Sequence, residues 1–254
     1  MSCRDAGAAA AAPKCAPMKH LNRRHFVRTA LAAVATATAA DAATTARPTW
    51  DDDAGVTAPE DLMKEHGVLN RCLLIYEALL AKDQVSARNT SMDALADAHW
   101  FHQTADIIHR FVESYHERNE EKYIFPHFTQ HKKLTDLVGV LLNQHIAGRA
   151  VTERILRNTT QARFASAADR QKVTDDVTAF IRMYRPHEAR EDTVLFPSLR
   201  TILPPAEVLA IGQRTEAEED RILGHKGFEK TLAAVAAIEK QLGIHDLKQF
   251  TPTA

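Results

Sequence analysis

Cysteine is scarce in this sequence. The 254 residues hold three, Cys3, Cys15 and Cys72. The first two lie in an N-terminal stretch read below as a removable signal, which leaves Cys72 alone. One cysteine makes no internal disulfide, and a metal site built from several thiolates is excluded. Glycine is also sparse, at nine residues, and β-branched runs are rare. Ala, Leu, Glu, Arg and Lys dominate instead, so the spacing and composition predict a mostly helical chain. A strong excess of one charge is missing too, since the formal net charge is −1.

No long apolar run is present. The stretch "NRRHFVRTALAAVATATAADA" has a twin arginine, Arg23-Arg24, then Phe26 and Arg28, a weakly apolar run, and small residues at 40–42. The run is too short and too weak for a membrane span of about twenty residues. It resembles a twin-arginine export signal, which would place the mature protein in the periplasm with no membrane span. Met18 is a second candidate start, because residues 1–17 are low in complexity. Cleavage near Ala42 would remove six Lys/Arg and two Asp/Glu from totals of 32 and 33, leaving 26 and 31 and a net charge of −5. That balance argues against nucleic acid as a partner. Nothing in the sequence specifies an oligomeric state.

The expected organisation has four parts: a signal at 1–42, a linker at 43–58, a bundle at 59–200, and a C-terminal helix and tail at 201–254 packed on that bundle. Apolar spacing predicts helices over about 59–82, 92–124, 134–159 and 167–195. Their seams alternate steps of three and four, and the loops between them are short. Both features predict an all-α, up-down-up-down four-helix bundle. A fifth helical region, about 205–242, has a break expected near Gly224 and Gly227, with an extended tail after it.

Two stretches carry the chemistry. "HERNEEKYIFP" (116–126) and "HEAREDTVLFP" (187–197) share the pattern H-E-x-x-E-[ED]-x-x-[IL]-F-P. Each sets a glutamate four residues after a histidine, so His116 projects with Glu120 and His187 with Glu191. The other two helices place His66 and His145 on their inward seams. Counting from the helix ends at about 1.5 Å per residue, all six side chains fall within roughly two turns of one level.

Six polar groups converging inside a bundle cannot stay unpaired, because a buried uncompensated carboxylate becomes neutral or destabilises the fold by roughly several kcal/mol. A pair of divalent cations resolves this. Imidazole nitrogen suits iron, zinc or manganese, and a carboxylate can bridge two ions. His102 and His109 read as hydrogen-bonded core histidines and His225 as a surface residue. Glu117 and Glu188 are expected toward solvent or just outside the ligand set, and Glu121 and Asp192 outside it as well. Tyr184, one turn before His187, is read as lining the cofactor pocket.

These motifs resemble the hemerythrin-like (HHE cation-binding) family over about 59–242. The resemblance implies a four-helix bundle with a non-haem di-iron centre (Fe2+/Fe3+) that binds O2 or a related small molecule. By position it implies His66, His116, His145 and His187 as terminal ligands and Glu120 and Glu191 as bridges. One position departs from the oxygen-carrying members: Arg149 stands where they have a second histidine, one turn after that of the third helix. Arg149 is expected to turn outward, leaving both ions partly open and nearly equivalent. A set of four histidines and two glutamates is similar to di-iron proteins proposed to repair iron centres, whose small cysteine-bearing N-terminal module is missing here.

Three function classes follow. The first is a di-iron module that binds O2, NO or peroxide. The second is a stress-related di-iron protein that decomposes peroxide or repairs iron centres. The third is a divalent metal store.

Overall fold

The computed structural model describes residues 56–85 and 91–252. The expected signal at 1–42 and nearly all of the expected linker at 43–58 lie outside the described residues. Among the described residues every regular element is helical, as expected.

Helix α1 is Ala58–Val85. Its start is written in T-A-P-E: Glu60 accepts from the Thr57 backbone N–H at 2.9 Å and from the Thr57 hydroxyl at 2.8 Å. This is one arm of a capping box, and it satisfies a donor the helix itself cannot. Helix α2 (91–130) is composite. Ser91–Ile107 runs into a π-helical stretch, Ile108–His116, then Glu117–Asn119, a second π turn Glu120–Ile124, and Phe125–Gln130. Helix α3 is Thr135–Asn158 and α4 the short Gln161–Phe164. Helix α5 (167–202) repeats the design of α2, with Ala167–Arg190, a π turn Glu191–Leu195 and Phe196–Ile202. Helices α6 (Pro205–Ile222) and α7 (Gly227–Gln241) follow, then a 3-10 turn, Leu247–Phe250.

Helices α2 and α5 run past the ends expected at 124 and 195. Proline stops a straight α-helix by lacking an N–H and by crowding the carbonyl four residues back. Here the turn before each proline is π-type: Phe125 N–H bonds to Glu120 O and Phe196 N–H to Glu191 O, five residues back. Pro126 and Pro197 therefore sit where the hydrogen-bond register changes, and the helix continues beyond them.

The four long helices close a ring in which α1 meets α2 and α5, and α3 meets α2 and α5. Helices α6 and α7 lie against α1 and α2. The break between them comes at Gly224, whose φ of +74° suits the residue just past a helix end. Arg71 on α1 holds Glu239 on α7 with two hydrogen bonds, 2.8 and 2.6 Å. The tail meets expectation at its start, where Leu242 and Ile244 pack against the interior, and departs from it beyond. Leu247 and Phe250 stay 79% and 53% exposed, because one 3-10 turn carries no continuous apolar stripe to pack.

The apolar interior has two parts. One gathers Leu69, Leu73, Tyr76, Phe111, Tyr115, Phe180 and Tyr184. The other gathers Leu62, Ile124, Phe125, Leu141, Leu195 and Phe196. Along each long helix the polar residues of interest fall between the two, so a polar layer is walled from water at both ends. Each large side chain buried in these walls contributes about 1.5–3 kcal/mol, which offsets the cost of enclosing charged groups between them.

Candidate metal centre

The six residues singled out by the sequence meet in that layer. His66, His116, Glu120, His145, His187 and Glu191 are all buried, the two glutamates completely. The histidines form two pairs. The His66 and His116 rings are 4.7 Å apart between centroids, and His145 Nε2 lies 3.2 Å from His187 Nε2. Each glutamate reaches both pairs. Glu120 places one oxygen 3.6 Å from His116 Nε2 and the other 3.4 Å from His145 Nε2. Glu191 Oε2 lies 3.3 Å from His66 Nε2 and 3.1 Å from His187 Nε2.

All four rings turn Nε2 inward because Nδ1 is held from outside. His66 Nδ1 donates to Asp192 at 2.7 Å and His116 Nδ1 to Glu65 at 3.0 Å. His145 Nδ1 donates to Glu121 at 3.2 Å and His187 Nδ1 to Gln144 at 2.9 Å. Such partners fix the tautomer and aim the free nitrogen at one point. They are the residues that the sequence reading missed or set aside. Their signal was in the pattern: Glu65 and Gln144 directly precede the seam histidines, and Glu121 and Asp192 directly follow the seam glutamates. The π turns starting at Glu120 and Glu191 swing residues 121 and 192 toward the neighbouring helix, which an unbroken α-helix at i+5 would not do.

The layer fits cations and fits poorly without them. Both carboxylate oxygens of Glu120 and of Glu191 are buried and make no hydrogen bond. Burial and the adjacent Glu191 raise the Glu120 carboxyl far above its ordinary range. Glu191 is held below its ordinary range despite burial, by His187 and His66. Burial pushes His116 well down and His145 down to about 4, while Asp192 and Glu191 outweigh burial at His66 and raise it. Like charges and desolvation thus force protons unevenly onto a cluster whose nitrogens and oxygens face each other. Divalent cations between the nitrogen pairs and the carboxylates would relieve both strains. Two donor groups within 4.8 Å stand ready: His66, His116 and Glu120, and His145, His187 and Glu191.

A third cluster of the same tightness, Glu117, Glu121 and His145, already has a cation beside it. Arg149 was expected to turn outward. It is instead only 20% exposed and binds Glu117 at 2.7 Å and Glu121 at 2.5 Å. The two carboxylates supply the compensation that holds it there. Glu117 and Glu188 are not solvated either. Both are buried, and burial pushes each carboxyl up to about 8. Glu117 accepts from the Tyr184 hydroxyl at 2.6 Å, and Glu188 accepts from the Asn70 amide. Tyr184 stands beside the site with its ring 5.3 Å from that of His187. His102 and His109, expected in the core, are exposed. They bond to Thr159 at 3.0 Å and Glu113 at 3.1 Å. The buried seam of α2 runs through Phe101, Ala105 and Ile108 with both histidines beside it, and the π stretch Ile108–His116 changes the register by which that seam reaches His116. His225 is exposed, as read.

Fold and site together define a cation-binding helical bundle. Residues 57–199 match the family described as hemerythrin HHE cation binding domain, and the chain belongs to that family. It is 45% identical over 205 residues to the uncharacterised protein Rv1995 of Mycobacterium tuberculosis and to the uncharacterised protein Mb2018 of Mycobacterium bovis. Each match covers 81% of this chain and 78% of the relative. No solved structure matches the chain. No helix among the described residues is long and apolar enough to cross a membrane.

Proposed function

We propose that the layer holds two iron ions, one between His66 and His116 and one between His145 and His187, with Glu120 and Glu191 bridging them. The observation that carries this is the reach of each buried glutamate to both histidine pairs, with no hydrogen bond to either carboxylate. Such a pair, when bound, supplies a ferrous/ferric couple and coordination positions the six side chains do not fill, which suits O2, NO or peroxide as ligand. The chain's own residues do the rest. Glu65, Glu121, Gln144 and Asp192 keep the imidazoles aimed. The apolar walls exclude bulk water and bulky solutes. Tyr184, bonded to Glu117, lines the His187 side of the pocket. Zinc or manganese satisfies the same donors, so metal analysis is part of the test.

The experiment is to purify the protein without chelators, measure metal per chain, and record absorption anaerobically before and after O2, NO and peroxide. About two irons per chain and bands that respond to these ligands are the expected result. A colourless zinc protein inert to all three would sink the reading and leave a metal store. Steady turnover of peroxide would move it to the stress-related class. The residues before 43 support a further reading, export through the twin-arginine route to the periplasm, because that route suits a protein that acquires its metal as it folds.

A further inference from the structure

The two halves of the layer repeat position for position. Glu65, His66 and Asn70 of α1 correspond to Gln144, His145 and Arg149 of α3. His116, Glu117, Glu120 and Glu121 of α2 correspond to His187, Glu188, Glu191 and Asp192 of α5. The inward donors are the same in both halves. The groups behind them are not.

Behind the His66–His116 pair, both Nδ1 atoms donate to carboxylates, Asp192 at 2.7 Å and Glu65 at 3.0 Å. Behind the His145–His187 pair, one Nδ1 donates to the neutral amide oxygen of Gln144, at 2.9 Å. The other donates to Glu121 at 3.2 Å, but Glu121 is shared with the Arg149 guanidinium at 2.5 Å. At the place of Arg149, the first half has the neutral Asn70.

We propose that the two seats bind cations unequally: the His66–His116 seat fills first and holds its ion, and the His145–His187 seat fills second and releases its ion first. An imidazole bonded to a carboxylate is the stronger Nε2 donor, and a change of such an outer partner alters metal affinity by about 10–100-fold. A fixed guanidinium near the second seat adds repulsion against a dication. Glu120 and Glu191 serve both seats and so do not discriminate. Gln144 and Arg149 are thereby positioning residues that keep one ion exchangeable. This replaces the expectation of two nearly equivalent ions. It rests on the proposed two-cation centre.

The test is an anaerobic Co2+ titration of the metal-free full chain, followed by visible absorption and calorimetry. Repulsion between two dications separates the steps in any paired centre, so the identity of each seat decides. His145→Ala is expected to keep the strong step and lose the weak one. His66→Ala is expected to keep only a weak step. Gln144→Glu is expected to strengthen the second step by roughly 10-fold and leave the first alone. A buried structural role alone would not produce that gain. Adding Arg149→Asn should narrow the gap further, and Gln144→Glu serves by itself where the double variant does not fold. Survival of the strong step in His66→Ala, or an unchanged gap in Gln144→Glu, overturns the proposal while leaving the two-cation centre standing. Absence of any Co2+ uptake by the wild type overturns both.

Discussion

A Cβ placed on Gly148 would lie 2.0 Å from the hydroxyl oxygen of Tyr184 and 2.8 Å from its ring carbon Cζ. The glycine in α3 therefore makes the seat in which the buried Tyr184 hydroxyl donates to Glu117. Gly148→Ala should displace that ring and destabilise the fold by about 1–3 kcal/mol, the usual range for overpacking. Denaturant melts check this. Combining it with Tyr184→Phe removes the nearest atom but not the ring, so part of the loss should return. No loss in the single variant would mean the seat is looser than the geometry indicates.

The carboxylates allow a second test. Glu120 and Glu191 each lie within 3.6 Å of both histidine pairs. If they bridge, Glu120→Ala or Glu191→Ala should drop metal content from about two per chain to one or none. Glu117→Gln should leave it near two, because Glu117 spends its bonds on Tyr184 and Arg149. Equal loss in all three variants would show that the bridging pair is wrongly chosen.

Much of this site was legible before the structure. Periodicity placed four helices, and the count from each helix end put His66, His116, His145 and His187 at one level. What remained hidden depends on backbone register. The π turns at 120–124 and 191–195 break the 3.6-residue rule on which such counts rest. Glu121 and Asp192 thereby reach imidazoles that simple spacing denies them, and the prolines fail to stop their helices. Burial misled in the other direction. Arg149, Glu117 and Glu188 are charged types that usually face water. Their enclosure follows from a network of partners on four helices, and single-helix patterns carry no information about that.

The Arg71–Glu239 pair predicts a pH dependence away from the metal layer. The two hydrogen bonds from Arg71, working against partial burial, hold the Glu239 carboxyl below its usual value of 4.5. A group with a depressed folded value stabilises the protein above its unfolded value and loses that contribution as pH falls through the folded one. Glu239→Gln should therefore cost about 0.5–1 kcal/mol at neutral pH. The difference from wild type should shrink as pH drops below 4.5. Layer glutamates titrate in both proteins and cancel in that difference. A gap in Tm that stays constant down to acid pH would contradict the pairing.

The export reading stands on Arg23 and Arg24. Replacing both by Lys keeps the charge and removes the twin-arginine pattern. The variant should remain in the cytoplasm, read by fractionation and immunoblot. Normal export of the variant would remove the basis for a periplasmic location.

The last prediction concerns the charge that Arg149 compensates. Glu117 is buried, and its visible partners are Tyr184 and the guanidinium 2.7 Å away. Removing one member of a buried ion pair leaves the other uncompensated, at a cost of about 3–5 kcal/mol. Burial pushes the Glu117 carboxyl up to about 8, so the comparison belongs above that pH, where the carboxyl is charged and Arg149→Met should destabilise the metal-free protein strongly. Glu117→Gln in the same chain removes the stranded charge and retains an acceptor for the Tyr184 hydroxyl. The double variant should recover the part of the loss that belongs to Glu117, giving a coupling energy of about 1–3 kcal/mol in a double-mutant cycle. Arg149→Met also removes the 2.5 Å pair with Glu121, but that loss is common to the single and the double variant and cancels in the cycle. Strict additivity of the two substitutions would show that Arg149 is held by Glu121 alone, and that Glu117 is compensated from elsewhere in the layer.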